Sequence, residues 1–198
     1  PITYLALGDS YTIGEKVSEN DRWPNQLAME LNKKGHRTAK PTIIAKTGWT
    51  TDDLLVAVES KLEPSEKYDL VSVLIGVNNQ YQGKSISDYE KDLRILFQQA
   101  IDHAAQGKNG VFVLSIPDYG ITPFGKAKGG NISKEIAKFN TVCEKVCQDF
   151  GIDFYNITPI SKYAEMDSSL LAEDMLHPSG LMYTLWVSEI LEKVEKKL

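Results

Sequence analysis

ITYLALGDSY, residues 2–11, decides the fold. Residues 2–7 are almost wholly apolar, as in a strand covered on both faces. Gly8-Asp9-Ser10 then breaks the run with three turn-forming residues and leaves a hydroxyl just beyond the strand. Four similar runs follow, at residues 42–45, 70–75, 111–116 and 152–155. Amphipathic stretches separate them. Trp23, Leu27 and Leu31 share one helical face, and Leu93, Leu96, Phe97, Ala100 and Ile101 share another. Ile132, Ile136, Phe139, Cys143, Val146 and Phe150 form a third stripe. A last helix follows Pro178, with Val187, Ile190, Leu191 and Val194 inward. Ser87 and Glu90 read as a capping box for the second of these helices. Strand and helix alternate, so the expected fold is α/β: a five-stranded parallel sheet with helices on both faces. All 198 residues are read as one domain, since no repeat or linker divides them.

In such sheets ligands bind beyond the carboxyl ends of the strands, where strand order reverses. The residues after each strand are therefore the informative ones. Strand one is followed by Gly8-Asp9-Ser10-Tyr11, strand two by Thr47-Gly48-Trp49 and strand three by Gly76-Val77-Asn78-Asn79. Near the end stands Asp174-Met175-Leu176-His177-Pro178. Each piece has a role in acyl transfer. Ser10 is a weak nucleophile until a base takes its proton, and His177 suits that role. Asp174, three residues before the histidine, would orient the ring and stabilise its charged form. The backbone N–H groups of Ser10 and Gly48 and the amide of Asn78 would hold the oxyanion. Gly-Asp-Ser alone is weak evidence, because chance produces it in roughly one chain in twenty of this length. Four ordered matches at strand exits carry the argument.

These blocks resemble the SGNH, or GDSL-type, hydrolase family, and the resemblance runs nearly end to end. It implies a flavodoxin-like three-layer α/β/α sandwich, esterase, lysophospholipase or lipase-type activity, and no metal or organic cofactor. It assigns Ser10 as nucleophile, His177 as base, Asp174 as its partner, and Ser10, Gly48 and Asn78 as the oxyanion hole. Two positions depart from the family pattern: Tyr11 replaces the leucine of the motif, and Asn79 stands where many members carry aspartate.

Trp49, Tyr81, Tyr119, Phe124 and Met175 neighbour the strand exits and are expected to line the substrate pocket. Residues 117–131, PDYGITPFGKAKGGN, read as a long loop forming a wall or lid. Asp9 is expected to stabilise the nucleophile turn through local hydrogen bonds. His36 is placed at a helix end and His103 on the polar side of a helix, neither with a function. The expected partner is a small-molecule ester with a short to medium acyl chain. The competing class is a non-catalytic, flavodoxin-like ligand-binding module.

Bulk properties exclude other classes. A net charge of −5 and a pI near 5.3 give no long-range attraction for nucleic acid. Two cysteines at i,i+4 and three scattered histidines offer no metal pattern. No stretch reaches the ~20 apolar residues of a membrane span. Location is expected to be cytoplasmic by default, or periplasmic or secreted if a leader preceded Pro1.

Overall fold

The computed structural model describes residues 1–198. Five strands form one sheet: β1 (Tyr4–Gly8), β2 (Thr42–Ala45), β3 (Leu70–Leu74), β4 (Val111–Leu114) and β5 (Asp153–Tyr155). Every pairing is parallel, and the order is β2-β1-β3-β4-β5. This is the flavodoxin-like order, with its reversal at β1. In register, Gly8 lies opposite Ala45 on one side and Leu74 on the other. The exits of β2, β1 and β3 are therefore level, and their loops rise side by side.

Nine helices connect and cover the strands: α1 (Ser10–Ile13), α2 (Trp23–Lys33), α3 (Thr51–Lys61), α4 (Val77–Tyr81), α5 (Ile86–Asp102), α6 (Pro123–Lys128), α7 (Ile132–Phe150), α8 (Thr158–Ser161) and α9 (Gly180–Glu195). Helices α2 and α9 pack together, while α3, α5 and α7 pack in series. One contiguous core of 48 buried residues lies between them and the sheet. The three inner strands are buried at every residue, which is why they read as unbroken apolar runs. Edge strands β2 and β5 are partly exposed. Each leucine of β1 or β3 taken wholly out of water contributes about 1.5–3 kcal/mol before entropy is counted.

Several local expectations are corrected. The cap of α5 is Ser85, whose hydroxyl accepts from the Asp88 N–H at 3.1 Å, two residues earlier than the Ser87–Glu90 reading. The two positions are easily confused because a serine at each precedes an acid by three residues. Helix α3 shows no clear apolar stripe in the sequence. Its inward Leu54, Ala57 and Val58 are few, and exposed Val56 blurs the pattern, yet Thr50 and Asp53 form a full capping box. Residues 117–131 are not an irregular loop. Asp118 caps a 3₁₀ turn at Tyr119–Ile121, and Thr122 with Pro123 starts α6. His103 is buried rather than on a polar face, and its Nδ1–H donates to the Glu66 carbonyl at 2.9 Å. His36 lies 2.8 Å from Glu195 of α9, a contact that no local pattern announces.

Candidate active site

The turn after β1 is set by close packing. A Cβ on Gly8 would lie 2.4 Å from Thr12 Oγ1 and 2.7 Å from the Leu74 carbonyl, so only glycine fits. Asp9 then caps α1, with its Oδ1 accepting from the Tyr11 N–H at 2.9 Å. This is the local bonding expected of Asp9. Ser10 opens the short helix and remains 5% exposed at the floor of a cleft.

Asp9 is wholly buried, and its Oδ2 has no hydrogen-bond partner. Burial pushes its carboxyl up to about 7, against the opposing pull of the Tyr11 N–H. The folded chain thus holds this proton more tightly than the unfolded chain, whose Asp titrates near 3.9. The stabilisation is complete below pH ~4 and disappears as pH rises to about 7. Asp9→Asn cannot ionise. Its thermal midpoint, relative to wild type, is expected to be higher at pH 8 than at pH 5. An equal difference at both pH values would rule out a neutral Asp9.

His177 arrives from the far end of the chain. Leu171 and Pro178 form an antiparallel bridge, and the Ala172 N–H donates to the His177 carbonyl at 2.8 Å. Inside this narrow loop Asp174 bonds three times. Oδ1 accepts from the N–H groups of Leu176 and His177, each at 3.0 Å. Oδ2 lies 2.5 Å from His177 Nδ1. Burial pushes the Asp174 carboxyl up, but the His177 ring and the two backbone N–H groups outweigh it and hold it below its ordinary range. An ionised Asp174 accepts the Nδ1 proton, which leaves the Nε2 lone pair free. Nε2 lies 3.2 Å from Ser10 Oγ. The Tyr11 ring meets His177 edge-on, with centroids 6.0 Å apart.

The other two exits complete the cleft. Gly48 adopts φ +87°, a left-handed conformation natural to glycine, and its N–H has no partner within the chain. Asn78 Nδ2 donates to the Trp49 carbonyl at 2.9 Å, which uses one of its two amide protons. Ser10, His177, Gly48 and Asn78 line a cleft of about 200 Å³. Tyr81, Tyr119 and Phe124 form its aromatic wall, as expected from sequence. The Tyr119 hydroxyl donates to Gln80 Oε1 at 2.6 Å, and Gln80 Nε2 donates in turn to Glu135 at 2.5 Å.

Two anticipated pocket residues lie elsewhere. Trp49 is half-buried against the core, with the Lys61 ammonium over its ring, and serves the site only through its carbonyl. Met175 has φ +56°, is 37% exposed and does not line the cleft. The turn that lets Asp174 bond forward swings Met175 aside. Leu176 takes the expected place, with Tyr11, Thr47 and Val77. All four adjoin motif residues, a signal that the sequence did carry.

Comparison with known proteins agrees with this fold. The family model described as GDSL-like Lipase/Acylhydrolase matches residues 6–185. A multidomain esterase of Ruminococcus flavefaciens is 28% identical over 127 residues, which is 64% of this chain but only 16% of that much longer protein. The lipase/acylhydrolase of Enterococcus faecalis superposes with a TM-score of 0.76 at 19% identity, covering 100% of this chain and 97% of that one. The acetylxylan esterase Axe2 of Geobacillus stearothermophilus gives 0.74 at 18% identity, covering 98% and 94%. No helix is long and apolar enough to cross a membrane. With the family model spanning nearly the whole chain, this protein belongs to the GDSL-like Lipase/Acylhydrolase family.

Proposed function

We propose that the chain cleaves carboxylic esters through an acyl-serine intermediate, with Ser10 as nucleophile. The observation that carries this is the continuous path Asp174 Oδ2, His177 Nδ1, His177 Nε2, Ser10 Oγ, with steps of 2.5 and 3.2 Å at the cleft floor. In the first step His177 Nε2 takes the Ser10 proton as Oγ attacks the acyl carbon. Asp174 stabilises the imidazolium without taking its proton. The developing oxyanion receives the Ser10 N–H, the Gly48 N–H and the second Asn78 amide proton. Each such donor is worth about 3 kcal/mol. Collapse expels the alcohol, which takes the proton from His177. Water then attacks the acyl carbon as His177 Nε2 takes one of its protons, and collapse breaks the bond to Ser10 Oγ, which takes that proton back as the carboxylic acid leaves.

The acyl group in this reading is short to medium. A cleft of about 200 Å³ closed by Tyr81, Tyr119 and Phe124 favours compact acyl groups. The acetyl-releasing activity named for the Geobacillus neighbour supports the short end of that range. Two measurements test the proposal. A fluorophosphonate should label the protein at Ser10, and absence of labelling in folded protein would refute the nucleophile. Across nitrophenyl esters from acetate upward, kcat/KM should peak at short or medium chains. A maximum at long chains would refute the acyl assignment.

A further inference from the structure

A second bridge lies beneath the oxyanion donors. The Thr51 N–H donates to Asn79 Oδ1 at 3.0 Å, and Asn79 Nδ2 donates to Thr51 Oγ1 at 2.8 Å. Thr51 Oγ1 in turn donates to Asp92 Oδ2 at 2.6 Å. Thr51 and Asn79 are fully buried. The direction of this chain is not a free choice. A backbone N–H can only donate, so it fixes the Asn79 oxygen opposite Thr51 N and the amide nitrogen opposite the hydroxyl. The hydroxyl therefore accepts from Asn79, and its single proton goes to Asp92.

We propose that Asn79 and Asp92 are positioning residues, coupled through Thr51 in a one-way hydrogen-bond relay that holds the two oxyanion-donor loops in register. Asn79 follows Asn78, and Thr51 follows Gly48 by three residues. Asn78 already grips the Trp49 carbonyl. Residues 78 and 79 thus clamp residues 49 and 51, and Asp92 of α5 anchors the clamp from outside. Thr51 is also the first residue of α3, whose N–H has no partner inside its own helix. Asn79 supplies that partner.

The polarity makes the two side chains interdependent. An aspartate at 79 would accept from both the Thr51 N–H and the Thr51 hydroxyl. Asp92 would then lose its donor, and two carboxylates would compete for one proton. An asparagine at 92 resolves this, because its amide can donate to Thr51 Oγ1 and run the relay backwards. In the wild-type background the same asparagine can still accept through its oxygen.

The test is a four-protein cycle of wild type, Asn79→Asp, Asp92→Asn and the double variant. It reads kcat, KM and thermal midpoint on a nitrophenyl ester. Asn79→Asp should lower kcat about tenfold with KM within about twofold, since loop misplacement is felt mainly in the transition state. Asp92→Asn should lose less than about threefold. The double variant should return to within about threefold of wild type, with its midpoint restored alongside. Losses that simply add, or an Asn79→Asp variant indistinguishable from wild type, would overturn the relay. Should Asn79→Asp not fold, recovery of folding in the double variant supports the relay, and its failure to recover overturns it. The effect on rate rests on the acyl-serine reading, whereas the midpoint cycle does not. If wild type itself hydrolyses no ester, that reading fails and the midpoints still decide the relay.

Discussion

Ser10→Ala is expected to lower kcat/KM by roughly 10⁴- to 10⁶-fold while the folded state persists. In the proposed reaction the loss is large because the hydroxyl oxygen is the only atom of the path that bonds to the acyl carbon. Without it, His177 and the oxyanion donors can at most assist a water, which leaves a residual rate well above solution but far below turnover. The stability cost is small by comparison. Ser10 Oγ makes its polar contact with His177 Nε2, and the turn itself is held by Asp9 and the tight fit of Gly8. Ester turnover and circular dichroism on the same sample check this. A folded variant retaining more than about 1% of wild-type activity would remove Ser10 from the chemistry.

Asp174→Asn should cost about 10⁴-fold in kcat. Asparagine can keep an oxygen toward the Leu176 and His177 N–H groups, so the loop retains its shape. It then presents an amide nitrogen to His177 Nδ1, where the ring must accept, and the proton moves to Nε2. That tautomer cannot take the Ser10 proton. Kinetics separate this from simple misfolding, because substrate binding should survive and KM change little. Stability carries a second signature. The native bonds hold Asp174 below its ordinary range, so its contribution is present above the unfolded pKa near 4 and is lost as pH falls through the lower folded value. The deficit of the variant in thermal midpoint should accordingly be larger at pH 7 than at pH 3. A kcat within tenfold of wild type would mean that His177 does not depend on this carboxylate for its orientation.

Much of the fold was legible in the chain because its causes are local. Strands β1, β3 and β4 are covered on both faces, and such strands must be apolar throughout. The stripes of α5 and α7 are equally plain because each buries one face on the sheet. Asp174 and His177 could be paired from sequence because only two residues separate them. Side-chain direction was less legible. Trp49 and Met175 sit beside functional residues, yet adjacency along a chain does not say which way a side chain points. The positive φ at Met175 turns it outward and leaves Leu176 facing the cleft.

Residue order alone determined an alternating α/β chain, the turn around Ser10 and the local Asp174–His177 pair, since each depends on neighbours within a few positions. Only the tertiary structure decided that Gly8, Ala45 and Leu74 end their strands at one level, and that His177 crosses 167 residues to reach Ser10. The same holds for Asn79, Thr51 and Asp92, whose side chains meet at the Thr51 hydroxyl. Parallel strand pairing and loop-to-loop bonding are made between segments far apart in sequence. Their geometry is set by how whole layers pack, which no short stretch of residues encodes.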